Sequence, residues 1–205
     1  MPEIIRSCKQ NSDEWFRLRL ASVGSTAINK IAPMKDGYKK TLYELTGELI
    51  TGVKAESFKF QHADRGHEFE DKARKLYEFI EGVDVEQIAL IKGDKPHTHV
   101  STDSIIGKDG ILEIKTRIPS IWLELAEGGL EPIADRRQRQ WGLSVGKRIW
   151  VDSVNYCPEI ALAGSGGILI KRVKRDEKMI AELEAAADRF IKDMLELSAK
   201  YKQAC

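Results

Sequence analysis

The strongest hydrophobic pattern in the chain is a helical stripe within residues 63–80. Its apolar positions are Phe69, Ala73, Leu76, Tyr77 and Ile80. At about 100° of rotation per residue, these side chains fall within a stripe roughly 100° wide, which predicts an amphipathic helix with one buried face. Glu70 lies at the border of that stripe, and Gly82 marks the end of the helix.

Shorter patterns predict the remaining elements. Helical spacing and capping residues such as Ser12 indicate helices over residues 13–20, 26–31, 41–50, 132–145 and 178–201. Alternating or continuous apolar runs indicate strands over residues 85–91, 99–106, 111–116, 148–156 and 167–173. Residues 33–40 are expected to form a basic loop. This order predicts a mixed α/β fold with a central mixed β-sheet flanked by helices.

The length of 205 residues favours one domain over residues 1–205. It would comprise N-terminal helices (12–50), a core (63–175) and a C-terminal helix (178–201). Lys and Arg number 33 and Asp and Glu 32, so the near-neutral total argues against binding nucleic acid by bulk charge. It does not exclude a local basic groove. Basic residues gather at 35–40, 136–139, 147–148 and 171–175.

Cysteine usage and hydropathy indicate the compartment. Cys8, Cys157 and Cys205 are scattered, which argues against a disulfide framework and against a cysteine-based metal cluster. The N-terminus lacks the apolar region of a signal peptide, and no apolar run approaches the roughly 20 residues of a membrane span. We therefore expect a cytoplasmic protein without a membrane partner.

The candidate chemistry lies in the segment STDSIIGKDGILEIK, residues 101–115. Residues two apart in a strand share a face, so Glu113 and Lys115 point one way and Ile114 points the other. Charge on a partly buried strand needs a compensating partner, because burying it unpaired is costly. Asp103, Glu113 and the Ile114 carbonyl could hold Mg²⁺, and Lys115 could hold the attacking water in phosphodiester hydrolysis.

The turn between the two strands decides whether the carboxylates can meet. The sequence GKDG, which follows Ile106, is a strong turn signal. A register with Ile106 opposite Ile111 would place Asp103 on the wrong face. A three-residue loop with Ile106 opposite Gly110 places Asp103 on the same side as Glu113. We predict that loop, with a left-handed bulge at Gly110, or a bend at Asp103.

Ordinary explanations compete with each signal. An Asp followed by Glu-x-Lys also suits a surface hairpin. A zinc site could be imagined from His62, His67, His97 and His99. His62 and His67 are five apart and would not share a helix face well, and HExxH is absent, so we discount zinc. The GSGG run at 164–167 precedes a strand and lacks a following Lys-Ser/Thr, which favours a flexible connection over a phosphate loop.

Several segments together resemble one nuclease family. The similar segments are Arg65–Arg74 (RGHEFEDKAR), Tyr77-Glu78-Phe79, Gly82-Val83, Trp15–Leu20 (WFRLRL), Gln138–Trp141 (QRQW) and Arg175–Lys178 (RDEK). They resemble lambda exonuclease and its YqaJ-like viral recombinase relatives, in order and over almost the whole chain. Asp103 with Glu113-Ile114-Lys115 resembles the PD-(D/E)xK nuclease motif of that family.

The resemblance implies a restriction-endonuclease-like PD-(D/E)xK core and a metal-dependent exonuclease. Such an enzyme degrades one strand of double-stranded DNA from its 5′ end and leaves a 3′ overhang for a single-strand annealing protein. Family members form a ring-shaped homotrimer that threads DNA through its channel. The resemblance further implies two Mg²⁺ ions, with Mn²⁺ as an alternative, and the bacterial host cytoplasm for a phage-encoded protein.

The resemblance also implies roles by position. The implied metal ligands are Asp103, Glu113, the Ile114 carbonyl and Glu70, the last of them for a second ion. Lys115 would position the nucleophilic water, and Gln138 would orient the site, with Gln140 as a neighbouring candidate. The implied pocket for a 5′ phosphate consists of Arg19, Thr26 and Ser101, with Ser25 as the alternative to Thr26. An arginine fork suits phosphate geometry.

One departure and two rival activities accompany the resemblance. The Ser-Pro-Asp-Gly stretch of the family reads Ser-Thr-Asp-Ser over residues 101–104, which keeps the Asp but loses the Pro and Gly. One rival is another PD-(D/E)xK enzyme, such as an endonuclease or a nuclease with a four-cysteine cluster, for which three cysteines are too few. The other is a catalytically inactive DNA-end-binding module, against which the intact Asp103, Glu113 and Lys115 argue.

Overall fold

A computed structural model describes residues 1–34, 37–54, 62–164 and 166–202, and the side chains of all of these except residues 62–68. Some features named above lie outside this description. They are Lys35 of the basic loop, the His62 and His67 side chains, Ser165 of the GSGG run, and Cys205.

The described residues form eight helices. Their bounds are α1 Asp13–Leu18, α2 Ser25–Ile31, α3 Gly37–Thr51, α4 His62–Glu81, α5 Pro119–Ala126, α6 Ile133–Val145, α7 Pro158–Leu162 and α8 Glu177–Lys202. All six predicted helices are present, and the Ser12 side chain caps α1 as expected. The loop prediction for residues 33–40 is wrong from Gly37 onward, where α3 begins. Helices α5 and α7 were not predicted; each begins at a proline, which suits the first helical turn.

The described residues form seven strands, which make two sheets instead of one. The strands are β1 Glu3–Ile5, β2 Leu90–Lys92, β3 His99–Val100, β4 Ser104–Ile106, β5 Gly110–Thr116, β6 Trp150–Tyr156 and β7 Ile168–Lys174. One sheet is antiparallel, in the order β1-β2-β3. The other has the order β4-β5-β6-β7 and is mixed, because β5 and β6 run parallel. The mixed α/β fold with flanking helices is therefore confirmed. A membrane-spanning helix is not found among the described residues.

Two strand predictions were too long. The segment 99–106 is two strands in different sheets, separated by a bend at Asp103. The buried Thr102 side chain explains the break, because its hydroxyl lies 2.9 Å from the Leu112 carbonyl and competes with regular pairing. In the segment 85–91, only the last two residues join β2, and Glu86 makes an isolated bridge to Ile105.

The predicted register of the β4–β5 hairpin is confirmed, but the role given to Gly110 is wrong. Ile106 lies opposite Gly110, across a three-residue loop. The left-handed residue of that loop is Gly107, with φ of 53°. Gly110 is needed for a different reason: a Cβ atom there would lie 2.4 Å from the Trp150 ring.

The mixed sheet is covered on both faces. Leu112 and Ile114 pack with Ala73 and Tyr77 of α4, as the alternation of β5 predicts. Ile111 packs on the other side with Leu143 of α6. Glu113 and Lys115 belong by alternation to that second face, so the predicted chemistry lies between β5 and α6.

Candidate active site

The bend between β3 and β4 carries Asp103 to the middle of β5. One carboxylate oxygen of Asp103 accepts a hydrogen bond from the Ile114 amide at 2.6 Å. The Ser104 hydroxyl donates to the Asp103 carbonyl, also at 2.6 Å, and helps to fix the bend. The structure thus brings Asp103 next to the strand position that Glu113 occupies.

Glu113 is a buried carboxylate, only 2% exposed. Its Oε2 accepts a hydrogen bond from the Gln138 amide nitrogen at 2.8 Å. Its Oε1 is buried and has no hydrogen-bond partner among the described residues. Burial, and secondly the charge of Asp103, raise the pKa of Glu113 to about 8, although Lys115 acts in the opposite direction.

Gln138 of α6 connects Glu113 to Lys115. The Lys115 Nζ donates to the Gln138 side-chain oxygen at 2.9 Å and lies 3.9 Å from Glu113 Oε2. A lysine can only donate, so this contact fixes the amide with its nitrogen toward Glu113. Gln140 points elsewhere, because its amide bonds the Lys174 carbonyl and the Asp176 amide. Of the two candidate glutamines, the structure places Gln138 in the cluster.

Glu70 approaches Asp103 from α4. The two carboxylates line one open groove with a volume of about 550 Å³. Arg74, one turn further along α4, forms ion pairs with Glu70 and Asp71, and its Nε donates to the Ser104 hydroxyl at 3.2 Å. Sequence reasoning did not select Arg74. The available signal was its i,i+4 spacing from Glu70.

The residues present fit a hard divalent cation. The pKa of Glu113 stays raised although Lys115 is nearby, so a buried carboxylate with one unpartnered oxygen beside a second carboxylate is still costly to ionise, and a bound cation would offset that cost. Among the described residues, no group of three His, Cys, Asp or Glu side chains forms a ready-made metal cage. Asp103, Glu113 and the Ile114 carbonyl would instead leave several positions to water, which suits Mg²⁺.

The predicted phosphate-binding residues line a neighbouring cavity. Arg19, Thr26 and Ser101 face one space of about 510 Å³, and Gln138 forms part of its wall. Ser25 lines the same cavity, so both candidate hydroxyls are present. The hydroxyls of Ser25 and Ser101 are buried without a partner among the described residues. Unpartnered buried hydroxyls beside an arginine suit an anionic ligand that accepts hydrogen bonds.

Arg19 is held firmly in this cavity. Its guanidinium carbon lies 3.7 Å from the centre of the Trp15 ring. Its Nε donates to His99 Nε2 at 3.0 Å. Burial lowers the pKa of Arg19 to about 10, so the group stays charged at neutral pH. Sequence reasoning considered His99 only as a zinc ligand and missed this contact, because it joins residues 80 positions apart.

Solved structures share this fold. An alkaline exonuclease (LHK-Exo) from Laribacter hongkongensis has been solved alone and in complex with dAMP. Each of these structures is 24% identical and has a TM-score of 0.84, with 94% of this chain and 97% of that chain covered. A phage related exonuclease from Haemophilus somnus 129PT is 14% identical, with a TM-score of 0.63 and coverage of 90% and 98%. No curated protein matches the sequence.

A family model extends the likeness from fold to sequence. The model for the YqaJ-like viral recombinase domain matches residues 14–141, well over half of the chain. The matched segment runs from α1 to α6 and includes every predicted site residue between Arg19 and Gln138. The chain therefore belongs to the YqaJ-like viral recombinase family.

Proposed function

We propose that this protein is a metal-dependent exonuclease that degrades one strand of linear double-stranded DNA from its 5′ end. The main observation behind this proposal is that Gln138 belongs both to the Asp103–Glu113–Lys115 cluster and to the wall of the Arg19 cavity. A catalytic cluster beside a pocket for a terminal phosphate suits cleavage near a 5′ end. The likeness to exonucleases, one of them solved with dAMP, supports the proposal.

The proposed cleavage follows from these positions. Asp103, Glu113 and the Ile114 carbonyl would hold Mg²⁺ or Mn²⁺, and Glu70 would serve a second ion. Such ions lower the pKa of bound water and offset charge on the phosphoryl oxygens. Lys115, anchored by Gln138, would orient the water that attacks phosphorus. The bond from phosphorus to the 3′ oxygen of the terminal nucleotide would break, which releases a 5′-mononucleotide and leaves a new 5′ phosphate.

Each cut would regenerate the group that the Arg19 cavity binds. Contacts to phosphate carry no base information, so we expect specificity for the end of the duplex and not for its sequence. We further propose a ring-shaped homotrimer that supplies 3′ overhangs to a single-strand annealing protein. Membership of the family supports these two proposals.

The first test compares linear duplex DNA with a closed circle of the same sequence, in Mg²⁺. We expect the linear DNA to lose its 5′-labelled strand as mononucleotides while the complementary 3′ end and the circle stay intact. Cutting of the circle would favour an endonuclease. Binding of ends without cleavage would favour an inactive end-binding module. Loss of the 3′ end would show that the proposed polarity is wrong.

The second test concerns the phosphate cavity. Arg19→Ala should lower the rate at 5′-phosphorylated ends by about 10- to 100-fold, since a charge-assisted contact to the phosphate is lost. Ends with a 5′ hydroxyl should be much less affected. The matched control is Arg17→Ala, which removes an exposed arginine of α1 two residues before Arg19. An equal loss at both kinds of end would refute the assignment of Arg19 to the terminal phosphate.

A further inference from the structure

Arg19 depends on a buried histidine for its orientation. The His99 side chain, 3% exposed, accepts from Arg19 Nε through its own Nε2 at 3.0 Å, and its Nδ1 lies 2.8 Å from the Ser22 hydroxyl. The ring packs against the start of α2, where a Cβ on Gly24 would lie 2.4 Å from His99 Nε2. The imidazole therefore has little room to rotate.

The hydrogen bonds fix the chemical state of His99. An arginine Nε–H can only donate, so His99 Nε2 must be an acceptor and Nδ1 must carry the proton. A second proton on Nε2 would face the Arg19 cation. Burial, and secondly Arg19, lower the pKa of His99 to about 3. His99 is thus a neutral acceptor at every pH at which the enzyme would work.

His99 also lies where three parts of the site meet. Its amide donates to the Val23 carbonyl at 3.2 Å, which joins the loop after α1 to β3. Its carbonyl accepts from the Trp141 indole at 3.1 Å, which joins β3 to the helix that carries Gln138. Two residues further along the chain is Ser101 of the phosphate cavity. The position of the His99 ring is therefore tied to both halves of the proposed site.

We propose that His99 is a positioning residue: it holds the Arg19 guanidinium against Trp15, so that its terminal nitrogens face the cavity for the 5′ phosphate. This inference rests on the proposed function. His99 engages Nε and Trp15 covers one face of the guanidinium, so neither of these contacts takes up the two terminal nitrogens. The Glu48 carboxylate also acts on the Arg19 guanidinium through its charge and helps to keep that group ionised.

Two substitutions separate the acceptor from the ring. In His99→Gln, the amide oxygen can take the place of Nε2 and accept from Arg19. In His99→Asn, the shorter amide reaches only the place of Nδ1 and leaves Arg19 without its acceptor. The measured quantity is the ratio of kcat/KM at 5′-phosphorylated ends to that at 5′-hydroxyl ends. We expect His99→Asn to lower this ratio by about tenfold and His99→Gln to stay within about threefold of wild type.

A second readout does not need cleavage. The dissociation constants of the same two duplexes can be measured in EDTA. We expect the preference for the 5′-phosphorylated end to be reduced in His99→Asn and retained in His99→Gln. Lys95→Ala, at an exposed ion pair on the far end of the β2–β3 turn, is the control that should retain the wild-type ratio. Equal ratios for the Asn and Gln variants would overturn the inference. If Arg19→Ala kept the wild-type preference for 5′-phosphorylated ends, the assignment of the Arg19 cavity to the 5′ phosphate would itself be wrong.

The wild-type protein offers a further test, which remains possible if the His99 variants fail to fold. The chain has four histidines, so selective ¹⁵N labelling resolves the imidazole of His99. We expect a neutral ring with its proton on Nδ1, unchanged between pH 5 and pH 8. A ring protonated on Nε2, or one that becomes charged in this range, would contradict the proposed contact.

Discussion

Replacing Lys115 by alanine should reduce the rate of DNA hydrolysis by about 10²- to 10⁴-fold, the range for loss of a positioned group that handles the attacking water. The Lys115 ammonium lies between the Gln138 oxygen and Glu113 Oε2, at 2.9 and 3.9 Å. Removing it leaves no cation from this strand beside the carboxylates. The measurement is single-turnover cleavage of a linear duplex with a 5′-labelled, phosphorylated end, in saturating Mg²⁺.

The control for Lys115→Ala is Lys108→Ala, which removes an exposed lysine from the loop of the same β4–β5 hairpin. It should cleave at the wild-type rate. Binding of duplex ends in EDTA should be similar in both variants, because end binding is assigned to the Arg19 cavity. Cleavage by Lys115→Ala at the wild-type rate would refute the assigned site.

The local parts of the site could be predicted from the sequence. The register of the β4–β5 hairpin follows from one turn signal and from the requirement that Asp103 and Glu113 share a side. The position of Glu70 at the border of the apolar face of α4 follows from helical periodicity. Both depend on residues close together in the chain, where strand and helix geometry set the direction of each side chain.

The contacts between distant segments could not be predicted. His99 accepts from Arg19 across 80 residues, and nothing in the spacing of either signals the contact. Gly110 stands in a sequence that is typical of a turn. Its lack of a Cβ instead makes room for the Trp150 ring of β6, the strand that runs parallel to β5. Each of these depends on which strand or helix lies next to which, and a pattern along one chain does not specify that.

The strand that was predicted over residues 99–106 is the most informative error. Continuous pairing would have placed Ser101 and Asp103 on one face of a single sheet. The break after β3 instead leaves Ser101 in the phosphate cavity and turns Asp103 toward the Ile114 amide. The junction of the two sheets therefore separates the proposed phosphate-binding residues from the proposed metal ligands while keeping them adjacent.

The second large effect is expected at Glu113, where Gln keeps the shape and removes the charge. Glu113→Gln should reduce cleavage about 10³-fold, since it removes the carboxylate that is proposed to hold the cation and stabilise the transition state. Its control is Glu182→Gln, at an exposed position of α8. The same substitution should make the metal-free protein more stable at alkaline pH, because it removes a buried charge that has one unpartnered oxygen.

The sign of the stability effect follows from the pKa of Glu113, which is about 8 in the folded protein against an ordinary value of 4.5. Between these values the folded state holds a proton that the unfolded state has lost. The contribution of this carboxyl group is therefore full below pH 4.5 and is lost as the pH rises through 8. Urea unfolding in EDTA from pH 5 to pH 8.5 should show wild type losing stability relative to Glu113→Gln, and Mg²⁺ should restore it more in wild type. If the stability of the two proteins changed with pH in the same way, Glu113 would not be a buried carboxyl group with a raised pKa.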